Sequence, residues 1–142
     1  MVVQIIAALV GSVGFAIFFK MKGKQIALAG IGGAVTWMVY LFVQSFVTGY
    51  FVPYFAAAVF VAVYAEIMAR INRAPATIFL TAAAVPLIPG GSLNYTMAGL
   101  VNKDEVLFTQ SGEAAIVIAL AIAMGFVVVA VITRYIRAFL NR

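Results

Sequence analysis

Residues 25 to 65 contain no charged side chain, an uninterrupted stretch of 41 residues. One helix of that length reaches roughly 60 Å, about twice the hydrocarbon thickness of a bilayer, so the stretch has to fold back once inside a membrane. Thr48-Gly49-Tyr50, with Pro53 close behind, is the best place for that turn. Glycine permits turn dihedrals, proline starts a helix well, and Tyr50 and Tyr54 suit the headgroup zone. The reading is one span near 26–47 and the next near 51–69.

The rest of the chain follows the same pattern. Residues 1 to 19 are uncharged, with Gln4 and Ser12 the only strongly polar breaks, and the run stops at Lys20, Lys22 and Lys24. A cleaved leader carries its positive charge before the apolar run rather than after it, so this segment is expected to be retained as a span over about 2–19. The third span ends in Glu66, Arg70, Asn72 and Arg73, and Pro75 can open the next helix. A fourth apolar run covers about 76–101, a polar stretch runs from Asn102 to Glu113, and residues 114–133 form a fifth span. The expected fold is all-α: a polytopic membrane protein occupying residues 1–142 as one domain, with five transmembrane helices.

Of the 142 residues, 66% are hydrophobic and 9% charged, against about a quarter charged in a soluble domain, so a soluble monomer is excluded. Cysteine and histidine are both absent, which removes thiol nucleophiles, imidazole triads and Cys/His metal sites. With four acidic residues in total, most enzyme chemistry lacks its reagents, and neither catalysis nor a cofactor nor a metal is expected. The net charge of +5 offers no polar basic face for nucleic acid. The basic residues instead report topology: Lys20, Lys22, Lys24, Arg70, Arg73, Arg134, Arg137 and Arg142 fall on one side of a five-span chain, and Lys103 alone on the other, beside three acids. The positive-inside rule then puts the N-terminus outside and the C-terminus in the cytoplasm, in a cell membrane.

Small residues recur at helical spacing: Gly11 and Gly14; Gly30, Gly33 and Ala34; Ala58, Ala62, Ala65 and Ala69; Ala115, Ala119 and Ala123. Such stripes let helices approach closely in lipid, and close packing explains them without a functional role.

The fourth run is the exception to regularity. Pro86-Leu87-Ile88-Pro89-Gly90-Gly91-Ser92 would lie at the bilayer midplane, and two prolines with two glycines must free several backbone groups there. Freed groups are tolerated only against protein or a water-filled cavity, and broken helices at that depth are where transporters hold solutes. Beyond the break Ser92, Tyr95 and Thr96 recur at i, i+3 and i+4, with Asn94 nearby. The candidate substrate-binding set is therefore Pro89, Gly90, Gly91, Ser92, Asn94, Tyr95 and Thr96, with Pro86 and Pro89 making the break; a kinked helix that merely fits its neighbours is the bland alternative. Glu66, the one acid within a span, can meet Arg70 at i+4 as a structural ion pair or as a gate. Trp37 and Thr36, with Gln44 and Ser45 towards the outer end, line a path or belong to the core.

The stretch Ala69-Arg70, Pro75-Ala76-Thr77, Pro86-Leu87-Ile88-Pro89-Gly90-Gly91 and Tyr95 resembles the signature of the threonine/serine exporter family. The length and span pattern resemble its small subunit, found fused in the long exporters and separate in a two-component succinate exporter. The resemblance implies secondary export of a small amino acid or a dicarboxylate such as succinate, with a second, larger membrane subunit as partner. A pore-forming, holin-like homo-oligomer and a purely structural assembly subunit are the rival readings.

Overall fold

A computed structural model describes residues 1–140. Arg142, counted above among the basic residues of the tail, lies outside them. Among the described residues the fold is all-helical: α1 (Val2–Phe18), α2 (Lys24–Gln44), α3 (Phe51–Asn72), α4 (Ala76–Ala84), a 3₁₀ turn over Val85–Leu87, α5 (Gly90–Asn102) and α6 (Glu105–Leu140).

Helix ends follow the local chemistry. Lys20, Arg73 and Lys103 each adopt a left-handed conformation just past a helix. The next residue's amide then reaches back five positions: Met21 N–H to Ala16, Ala74 to Ala69, Asp104 to Gly99, at 3.0, 3.1 and 2.8 Å. Glycine is the usual occupant of that position, but a cation there sits at the negative end of the helix dipole. The turn expected at 48–50 falls at residues 45–50, with Gly49 at φ 112°.

One boundary corrects the sequence reading. The stretch Asn102 to Glu113 is not a loop before a helix at 114. Asp104 Oδ1 accepts the Leu107 N–H at 3.0 Å, capping a helix that starts at Glu105 and runs 36 residues. The fourth run is broken where the prolines and glycines predict, into two helices whose axes differ by 52°. By length and composition three helices qualify as membrane spans, α2, α3 and α6, and the bent α4–α5 pair makes a fourth if it is one crossing. Val2–Phe18 is apolar but has 17 residues, about 26 Å of rise, which is short for the hydrocarbon core, so the five-span expectation is not met by length alone.

Small residues make the packing. Cβ atoms placed on Gly30 and Gly125 would lie 2.5 Å from Val13 Cγ2 and 2.6 Å from Ala58 Cβ, so α1 lies directly on α2 and α3 on α6. Gly32 sits under the Tyr64 ring, whose hydroxyl donates to the Leu28 carbonyl at 2.7 Å and ties α3 to α2. Ala58, Ala62, Ala65 and Ala69 are buried as the stripe predicts. On α6 the buried positions are Ala115, Ile118, Ala121, Gly125 and Val129, whereas Ala119 and Ala123 of the proposed stripe are exposed.

Contacts also give direction. Gly32 meets Tyr64 and Tyr40 meets Tyr54, so α2 and α3 run antiparallel. Along α6, Gln110 to Val117 lie by Tyr50, Gly125 by Ala58, and Arg137 by Glu66. The numbers rise together, so α3 and α6 run parallel. The first two turns of α6, about 12 Å of rise from Glu105 to Glu113, extend past the start of α3 with α5 packed on them.

Candidate functional site

The break lies about halfway through the bundle. A Cβ on Gly11, near the middle of α1, would touch Val85, and Pro86 shares a groove with Trp37 of α2 and Gln4, Ala7 and Ala8 of α1. From Ala76 to Val85 is about 14 Å of helix rise, close to half the hydrocarbon thickness.

The backbone there is irregular because two prolines remove donors and Ile88 is extended (φ −60°, ψ 126°). The Gly90 amide turns back to the Ile88 carbonyl at 2.7 Å, and the Leu93 amide bonds the Pro89 carbonyl at 2.9 Å. The amides of Gly91 and Ser92 between them have no partner among the described residues. With the partial positive charge of the α5 N-terminus they favour an anionic group.

The polar face predicted on α5 divides in two. Thr96 Oγ1 donates to the Ser92 carbonyl at 2.7 Å, and its methyl lies where a side chain at Gly112 of α6 would touch it. That hydroxyl is satisfied locally, and Ser92 and Thr96 are half-buried on the α6 side. Gly90, Gly91, Asn94 and Tyr95 face away from the chain; Tyr95 is 59% exposed, and nothing lies within 4 Å of a Cβ built on either glycine. The open amides and the two free polar side chains therefore form a surface rather than a cavity of this chain. Pro89 is half-buried at the hinge.

A separate groove at the level of the break is lined by Gln4, Ala7, Ala8, Trp37 and Pro86. Trp37 stacks on Tyr40 with ring centroids 4.6 Å apart, and Tyr40 meets Tyr54 at the same separation. Thr36 is buried, with its hydroxyl donating to the Gly32 carbonyl at 2.7 Å. Ser45 caps the end of α2 through the Phe42 carbonyl, and Gln44 is exposed.

The expected pairing of Glu66 with Arg70 is corrected. Arg137 of α6, 71 residues away, donates through Nη2 to Glu66 Oε2 at 2.5 Å, and Arg70 lines the adjacent groove between α3 and α6 with Val63, Ile67, Val128 and Ile132. An i+4 partner was visible in the sequence. The α6 partner was not, because only the parallel packing of α3 and α6 brings Arg137 to it.

The structure adds two candidates that the sequence reading did not select, Gln4 in the groove and Arg137 in the ion pair. Gln4 carries a usable signal, as the first polar residue of an apolar run; Arg137 looks like any orientation anchor.

In comparisons with known proteins, the family model described as Threonine/Serine exporter, ThrE matches residues 4–132. No curated protein and no solved structure matches.

Proposed function

The chain belongs to the threonine/serine exporter family, a family of membrane transporters, and from that premise we propose that it is one half of a secondary exporter for a small polar amino acid or a small dicarboxylate such as succinate. One observation carries the two-subunit reading. The unpaired amides of Gly91 and Ser92, with Asn94 and Tyr95, face outward from the chain halfway along its length. Each unpaired polar backbone group costs several kcal/mol in hydrocarbon, so this face needs another protein surface or a wet cavity against it. A larger membrane subunit of the same family closes the site in this reading, and the solute's carboxylate lies against the start of α5.

Five crossings are part of the proposal. What supports α4–α5 as one of them is the parallel course of α3 and α6, because the chain must return across the same thickness between them and α4 with α5 is the only segment available to do so; α1 is the fifth by its apolar run and its packing along α2. With the basic residues placed in the cytoplasm, α1 begins outside and α6 ends inside, in the cell membrane. Glu66 and Arg137 then join α3 to α6 near the cytoplasmic end, with Arg70 beside them, where a gate would stand.

The test is reconstitution with and without the larger subunit. Liposomes holding this chain alone should not move L-threonine, L-serine or succinate, and one of these should move when both subunits are present. Transport by the single chain at the full rate would refute the two-subunit reading and favour a pore.

A further inference from the structure

Trp37 is the one tryptophan of the chain, and its ring stacks at the level of the break on Tyr40, which Tyr54 backs in turn. Its Nε1–H is buried and has no hydrogen-bond partner among the described residues. An indole nitrogen only donates, so the bundle holds a desolvated donor with no acceptor. Among the described residues Ser12 Oγ is the other buried side-chain polar atom without a partner. A serine hydroxyl can rotate onto the carbonyl four residues back, as those of Thr36, Thr96 and Thr109 do. A stacked indole has no such rotation.

The groove that Trp37 lines offers few polar side chains. Besides Trp37, the groove wall consists of Ala7, Ala8, Pro86 and Gln4, so Gln4 alone offers a polar side chain. A structural water needs two to four polar partners and would find few here. Pro86 belongs to the 3₁₀ turn that separates α4 from α5, where regular helix hydrogen bonding is interrupted although Leu87 beside it is buried in the core. A shift of this turn, rather than of a whole helix, is the smallest movement that would bare the indole.

The geometry points to Trp37 Nε1–H as a solute-binding donor, which takes an acceptor oxygen of the exported solute, a carboxylate or hydroxyl, when the Val85–Pro89 segment shifts. Gln4, which can donate and accept, faces the remaining polar group of that solute. This rests on the export reading and places a polar group of the solute between the break and α1–α2.

The assay uses this chain grown with 5-fluorotryptophan and assembled with the unlabelled larger subunit, so that one ¹⁹F signal reports Trp37. Titration with whichever of L-threonine, L-serine and succinate the complex transports should shift that signal saturably. Trp37→Phe keeps the stack and removes the donor; it should weaken apparent solute affinity about tenfold, as expected for a hydrogen bond to a charged acceptor, while the melting temperature stays level or rises. A purely structural tryptophan predicts the reverse, lower stability and unchanged affinity. A static ¹⁹F signal at saturating transported solute, or wild-type affinity in folded Trp37→Phe, overturns the assignment while leaving the export reading intact. Failure of the complex to move any of the three solutes fails the export reading instead. Should Trp37→Phe not fold, the ¹⁹F titration of the unmutated chain decides alone.

Discussion

Gly125 is where α6 lies closest to the backbone of α3, and adding one methyl group there tests the packing described above. The Cβ of Gly125→Ala would meet Ala58 Cβ at 2.6 Å, the Phe55 carbonyl oxygen at 3.1 Å and the Val59 nitrogen at 3.2 Å, where ordinary contact begins at 3.4 Å. Two of the three neighbours are backbone atoms and cannot rotate away, so the helices must part by roughly the 0.8 Å missing at Ala58. Overpacking of this kind destabilises by about 1–3 kcal/mol, against which alanine's better helix propensity returns about 1 kcal/mol. Gly14→Ala is the internal control, because nothing lies within 4 Å of a Cβ there and only the propensity gain applies. Denaturation of the purified chain in mixed micelles should therefore rank Gly14→Ala above the parent and Gly125→Ala below the control by about 1–3 kcal/mol. Adding Ala58→Gly to Gly125→Ala removes the worst contact and should recover part of the loss. Equal or greater stability of Gly125→Ala relative to Gly14→Ala would refute the claim that α3 and α6 touch at this point.

In intact cells a cysteine at Ser111 should react with an impermeant thiol reagent and one at Gln25 should not, since the chain has no cysteine of its own; labelling of Gln25→Cys from outside would invert the topology. Gly90→Val should fold like the parent because its side chain enters open space, yet lower export strongly in the two-subunit complex; Tyr95→Phe should also fold and lower export several-fold. Normal export by both would move the solute away from α5. Glu66→Gln and Arg137→Gln should each change stability by no more than about 1 kcal/mol, because the pair is partly solvated. A cysteine pair replacing them should be joined by a bifunctional thiol reagent long enough to span the two lost side chains, linking α3 to α6, and absence of that cross-link would contradict the parallel packing.

Most of the helices were legible because in this chain charge and proline punctuate an otherwise apolar text. Lys20 to Lys24, Gly49, Arg70 to Pro75 and Pro86 to Gly91 each mark an end or a break that the structure contains. The start of α6 was not read, although Asp104 is a good capping residue, because Gln110, Ser111 and Glu113 look like loop when polarity alone is weighed. The buried face of α6 was misassigned for a related reason. Where lipid and protein interior are equally apolar, hydrophobicity cannot tell Ala119 and Ala123 from Ala121 and Gly125, and only the contact with Ala58 separates them. At the candidate site the sequence located the broken backbone correctly but not its exposure. Which side of α5 faces α6, and that Thr96 is bonded to Ser92, depends on tertiary packing.

The parallel pairing of α3 with α6 bears on how the protein is made. Antiparallel neighbours such as α1 and α2, or α2 and α3, can dock as soon as both have entered the membrane. The α3 surface carrying Ala58 and Glu66 instead waits until the proline-interrupted segment has been threaded and α6 has followed. During that interval Glu66 has only its own helix to turn to, and Arg70, four residues on, is within reach in the favourable orientation. The arginine next to Glu66 in sequence is thus suited to the nascent chain and Arg137 to the finished one. Replacing Arg70 should accordingly lower the yield of inserted protein more than the stability of the molecules that complete assembly.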